Sequence, residues 1–144
     1  MTQKITIQEA CKQDMSNHAE AVFPEECCGA MLGRDDTSGK RVVTKILRVE
    51  NTKDANRERR FLIEPKALLQ AERTARAEGL DVVGIYHSHP NHPSKPSDFD
   101  RDHAMPFWSY LIVSCMQGKT ASVQSYRLLE DRSAFSEESI EYIK

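Results

Sequence analysis

No apolar stretch of this 144-residue chain approaches the roughly 20 residues needed to span a bilayer. The N-terminus, MTQKITIQEACKQDM, also lacks an apolar run followed by a small-residue cleavage site. Both absences lead to the expectation of a cytoplasmic protein with no membrane partner. Charge of one sign does not accumulate either: 20 Lys and Arg against 22 Asp and Glu leave a formal net charge of -2, spread along the chain. That excludes the basic footprint of a nucleic-acid binder and the cationic face of a membrane-surface helix. Four cysteines (Cys11, Cys27, Cys28 and Cys115) show no CxxC spacing, which argues against a disulfide framework and against a four-cysteine zinc site. Free thiols are expected, with Cys28 buried as a small apolar residue. No repeat or low-complexity segment appears. What is present, 39% hydrophobic and 29% charged residues, suits one domain over residues 1–144 with a core that needs no crosslinks.

Along the chain, Ile7, Cys11, Met15, His18 and Val22 recur at helical spacing, and Thr6 with Glu9 resembles a capping box. A helix over residues 7–22 is predicted, stopped by Pro24. GAMLG (Gly29 to Gly33) and RVVTKILRV (Arg41 to Val49) read as a hairpin across the polar turn Arg34 to Gly39. Asn51 to Arg60, apolar only at Ala55, reads as a solvated loop, and Pro65 and Gly79 bracket a second helix. Strands are then expected at Val82 to His89, Phe107 to Cys115, Ser122 to Leu129 and Ser139 to Ile143, with a short helix in SDFDRDHAM. This order suits an α/β architecture, a mixed β-sheet flanked by helices.

On a strand, side chains alternate with period 2, so Val83, Ile85, His87 and His89 are expected on one face. Two imidazoles then lie side by side, whereas on a helix residues two apart diverge by about 200°. Asp100, on the short helix after the turn at Pro90, can be brought back towards them. Two His nitrogens and one carboxylate leave a fourth tetrahedral position for water, the pattern of a catalytic zinc site, and zinc lowers the pKa of such a water to about 7. A carboxylate that is not a ligand is then needed to move protons. Glu25 and Glu26, in FPEECCGAMLG, are both candidates.

His87-Ser88-His89-Pro90, six residues, then Ser97-x-x-Asp100 resembles the JAMM (MPN+) metalloprotease signature, and Pro24-x-Glu26-x-Cys28-Gly29 resembles the glutamate-bearing element of its bacterial and archaeal members. The resemblance implies His87, His89 and Asp100 as metal ligands, Glu26 rather than Glu25 as the catalytic carboxylate, and Ser97 as a stabiliser of the oxyanion. It further implies the MPN fold, similar in layout to cytidine deaminases, and a minimal prokaryotic form. The implied activity is a zinc-dependent peptidase or isopeptidase cutting an amide bond at the C-terminal Gly-Gly tail of a ubiquitin-like sulfur-carrier protein. Such a tail is expected to dock by adding to a sheet edge.

Plainer readings stand beside these. Ser97 and Asp100 also form a helix-capping pair. His18, His92 and His103 are expected to be structural or solvated, His103 having the further possibility of supporting Asp100 from one helical turn away. Lys53 to Arg60 is a solvated connection or a flap touching substrate. Two other functions are weighed: a non-catalytic MPN scaffold, marked by loss of ligands that this chain retains, and a zinc deaminase, whose H-x-E and P-C-x-x-C signature it lacks.

Overall fold

In a computed structural model that describes residues 3–144, the chain runs β1 (Lys4–Gln8), α1 (Glu9–Val22), β2 (Cys28–Asp35), β3 (Arg41–Val49), α2 (Pro65–Ala77), β4 (Asp81–Pro90), α3 (Asp98–His103), β5 (Ser109–Met116), β6 (Lys119–Leu128) and β7 (Phe135–Ile143). A mixed sheet with packed helices is as expected; its closure is not. The strands follow the order β1-β3-β2-β4-β5-β6-β7, and β1 pairs with β7 to complete a ring. Pairs β1–β3, β1–β7 and β4–β5 are parallel, and the remaining pairs are antiparallel. The ring is closed by short pairings, β1 meeting β3 only at Arg41 to Val43 and β6 meeting β7 only at Ser125 to Leu128, so Lys45 to Val49 of β3 and Lys119 to Gln124 of β6 are paired on one side only. Among the described residues, no helix is long and apolar enough to cross a membrane.

The first element departs from the sequence reading. Residues Lys4 to Gln8 form a strand, and α1 starts at Glu9 with Gln8 as an N-cap that makes no side-chain bond. Ile7 fits either period, but Ile5, Thr6 and Ile7 are β-branched and gain ladder bonds to both β3 and β7, which outweighs a one-turn extension of the helix. Thr6 is buried in the ring with its hydroxyl unpartnered instead of capping.

Two faces of the ring carry separate cores. On one, Cys11, Met15 and Ala19 of α1 pack with Ile5, Met31, Val43, Tyr86, Leu111 and Val113. On the other, Ala71 and Ala75, one turn apart on α2, pack with Ala30 and Leu32. Gly29 is required where the ring of Tyr86 crosses β2: a Cβ there would overlap that ring and the Leu47 carbonyl. The hydroxyl of Tyr86 meets Nδ1 of the buried His18 at 2.8 Å, so His18 is the structural residue expected.

A further correction concerns β4. Its register against β2 pairs Gly84 with Met31 and Val82 with Leu32, which leaves Val83 as an extra residue. The bulge turns Val83 into the Tyr86 core, while Ile85 belongs to a third cluster with Ala104, Tyr110 and Leu128. Alternation therefore holds from Ile85 through His87 to His89 and fails at Val83.

Candidate metal centre

The site lies at the C-terminal end of β4, where parallel pairing with β5 (His87 beside Ile112, His89 beside Ser114) fixes both histidines on a buried strand. Their Nε2 atoms are 3.1 Å apart. Asp100 approaches from α3, one carboxylate oxygen 3.3 Å from each Nε2. The expected capping box forms as well: Ser97 Oγ accepts from the Asp100 N–H at 3.1 Å, and Asp100 Oδ2 accepts from the Ser97 N–H at 2.8 Å. The helix start thus aims the carboxylate, and capping and site geometry are one arrangement.

His89 Nδ1 lies 2.9 Å from the carbonyl of Pro93, which can only accept, so Nδ1 carries the proton and Nε2 turns a lone pair towards Asp100. His87 Nδ1 is buried without a partner, and Phe61 stacks on the ring with centroids 4.6 Å apart. The Nε2–Nε2 separation of 3.1 Å is close to the edge of a tetrahedron with bonds of about 2.0–2.1 Å, the size of a zinc site, and Asp100 offers Oδ1 to His87 and Oδ2 to His89. The donor set, two neutral nitrogens and a carboxylate, fits zinc too. Burial depresses the pKa of His87, but the charge and hydrogen bond of Asp100, with Glu26, more than offset it and raise the value above normal. Burial pushes Asp100 up, yet His87, His89 and the Ser97 N–H together hold it well below the usual carboxylate range. These groups are arranged around positive charge.

Glu26 and Glu25 occupy different surroundings. The antiparallel ladder places Cys28 opposite His87, and bonds between Cys27 and Ser88 carry that pairing upstream, which brings Glu26 alongside His89. Glu26 is 5% exposed, and burial raises its pKa, a shift that the nearby His87 and His89 partly offset. Glu25 is exposed and lines a separate hollow with residues 54–59. Burial pushes the thiols of Cys27 and Cys28 up to about 12, so neither is a thiolate at neutral pH. Cys28 is fully buried, as expected.

The triad forms a wall between two hollows. One, of about 540 Å³, is apolar and includes Phe61, Ile85, Phe99, Trp108, His87 and Asp100. The other, of about 250 Å³, is lined by Glu26, His89 and Ser97 together with Arg59, Arg60 and Lys95. His103 stacks on Phe99 and its Nδ1 pairs with the Phe99 carbonyl at 2.9 Å, in place of the support suggested for Asp100. His92 is exposed at the rim of the smaller hollow.

Sequence reasoning missed Asn51 and Phe61. The Asn51 amide donates to the carbonyls of Glu26 and Arg60 and accepts from the N–H groups of Lys53 and Leu62, pinning the charged loop to the backbone of Glu26. Nothing local marks it. Phe61 does carry a signal: it is the first large apolar residue after the charged stretch.

The family model for prokaryotic homologs of the JAB domain matches residues 8–129. The chain belongs to this JAB family. It is 35% identical to a desampylase of Haloferax volcanii over 92 residues, 63% of either chain. A probable TtuB-protein conjugate cleaving protease of Thermus thermophilus is 36% identical over 63 residues, 44% of this chain and 42% of that one. The chain therefore spans less than two thirds of these relatives in alignment. A JAB1/MPN domain protein of Archaeoglobus fulgidus superposes with a TM-score of 0.60, covering 98% of this chain and 99% of that one at 19% identity, which shows the shared fold. The expected MPN family is thus the one found.

Proposed function

We propose that this JAB domain is a zinc-dependent hydrolase that cuts an amide bond at the C-terminal Gly-Gly tail of a ubiquitin-like, sulfur-carrier protein. The observation that carries the reading is the convergence of His87, His89 and Asp100 beside a buried, non-coordinating Glu26. The names of the relatives, a desampylase and a protease cleaving protein conjugates, support a substrate of that class.

His87, His89 and Asp100 would hold the ion, which when bound supplies Lewis-acid activation of a water at neutral pH. Glu26, kept out of bulk water, would take a proton from the attacking water and hand it to the leaving nitrogen; the burial that raises its pKa makes its carboxylate a stronger proton acceptor in the first step. Ser97 Oγ accepts from Asp100 N–H and still has its own O–H to donate, which it directs to the carbonyl oxygen as negative charge develops there. Phe61 and the apolar hollow exclude water from the His87 side.

The test is to incubate zinc-loaded protein with a carrier bearing an extension after Gly-Gly and follow the carrier mass. Release of the extension by the wild type, and its loss in Glu26→Gln with zinc still bound, is expected. Equal release by Glu26→Gln would sink the mechanism.

A further inference from the structure

The two histidines of the triad are held by different means. His87 Nδ1 has no partner, and that ring is fixed by burial and by Phe61. His89 leans on the segment that follows it, its Nδ1 donating to the Pro93 carbonyl at 2.9 Å. That carbonyl is the middle one of three in a row, and both of its neighbours are taken. Ser114 Oγ donates to the carbonyl of His92, and the Tyr126 hydroxyl donates to that of Ser94 at 2.7 Å. These donors come from β5 and β6, strands that carry none of the proposed ligands. Ser122, Gln124 and Tyr126 alternate along β6 and so share a face, and the register sets Ser114 beside Ser122 on it. Ser94, 1% exposed, turns its hydroxyl to the same face, 2.7 Å from both Ser122 Oγ and Gln124 Oε1. The start of the segment is tied as well: the Asn91 N–H donates to the Cys115 carbonyl, and Asn91 Oδ1 accepts from the Gln117 N–H.

We propose that Ser114 and Tyr126 are positioning residues for His89. By fixing the carbonyls on either side of Pro93 they hold the Pro93 carbonyl against Nδ1, which keeps the ring proton there and leaves the Nε2 lone pair for a metal. The inference rests on the reading of the triad as a zinc site. The other tautomer is within reach, because Asp100 Oδ2 lies 3.3 Å from His89 Nε2 and offers an acceptor on that side of the ring. A ring with its proton on Nε2 has no lone pair to give there. Carbonyl and carboxylate therefore compete for one proton, and a carbonyl held in place by two buried hydroxyls keeps it. His87, without such a carbonyl, does not depend on this face.

The test compares wild type with Tyr126→Phe, Ser114→Ala and Ser122→Ala, each as the full chain. Zinc affinity, read by competition with a chelating dye, should fall about tenfold in Tyr126→Phe and in Ser114→Ala. It should stay near wild type in Ser122→Ala, which loses a bond to the Ser94 side chain and keeps all three carbonyls held. Nitrogen NMR of the metal-free proteins at alkaline pH should place the His89 proton on Nδ1 in wild type and Ser122→Ala, and divide it between the two nitrogens in the other variants. Either of those two variants suffices where the other fails to fold. Equal affinity in all four proteins with an unchanged ring overturns the positioning role and leaves the zinc site. An equal loss in Ser122→Ala also overturns it, since general loosening of the segment is then the cause. If wild type takes up no zinc while the ring still changes in the two variants, the zinc site falls and the hold on His89 stands. With neither zinc uptake nor a change in the ring, both fall.

Discussion

Replacing Ser97 separates two tasks that the proposed mechanism gives to one hydroxyl. As N-cap of α3 it accepts from the Asp100 N–H, and as a donor it faces the hollow shared with Glu26 and His89. Ser97→Ala removes both. Loss of the cap costs about 1 kcal/mol, which for a domain of this size lowers Tm by about 2–4 °C, and loss of one oxyanion donor lowers kcat by about 10² to 10³. Ser97→Gly keeps the cap to within a few tenths of a kcal/mol but has no hydroxyl, so its Tm should stay near wild type while its kcat falls with that of the alanine variant. Ser97→Thr keeps both groups and should restore both properties. Thermal unfolding of zinc-loaded protein and single-turnover cleavage of a Gly-Gly-extended carrier measure the two effects separately. A Ser97→Gly enzyme as fast as wild type would refute the donor role and leave Ser97 as a cap alone.

Other outcomes follow from the same geometry. Glu26→Gln should lower kcat by about 10² to 10⁴ with zinc content unchanged, whereas Glu25→Gln, in a separate exposed hollow, should be near wild type. In metal-free protein the raised pKa of Glu26 means that its stability contribution is present below the ordinary value of 4.5 and is lost as pH rises through the raised one. Metal-free Glu26→Gln should therefore melt above metal-free wild type at pH 7, and the gap should close as the pH approaches 4; a gap that widens in acid would contradict this. Zinc at about 100 times its Kd should stabilise the fold by about 2.7 kcal/mol, an increment that a chelator removes and that Asp100→Ala lacks when the pair is compared by urea unfolding. Arg41 is buried and bonds the carbonyls of Val83 and Phe107, the Ser109 hydroxyl and Asp35. Arg41→Met should cost about 2–4 kcal/mol in the same assay by orphaning those acceptors.

What the sequence disclosed here depended on the range of the forces involved. His87 and His89 could be placed together because alternation over three residues is a local property of a strand. Asp100 could be aimed because a capping box is local too. Val83 escaped the pattern because a bulge is set by the partner strand β2. Glu26 over Glu25 came from the resemblance of Pro24-x-Glu26-x-Cys28-Gly29 and not from the local pattern, because what separates their surroundings is the Cys28–His87 register, a pairing between segments about sixty residues apart. Asn51 and the two unlike hollows exist only once the charged loop is folded against the first turn of α3 and the start of β2. Ile7 was misread as helical for a similar reason: its neighbours in the ring come from residues 41–43 and 139–143.

The closing pair of that ring has a consequence for how the protein is made. Of the strands in the ring, β1 is made before all the others and β7 after them, and the two pair with each other. Until β7 is made, β1 and β6 each display unpaired amides to any neighbouring chain, the template on which strands polymerise. The matched family span, residues 8–129, does not include β7. A chain cut after Leu128 would retain every proposed ligand and the Glu26 carboxylate, yet expose that template permanently, so its failure would appear as aggregation before any loss of metal.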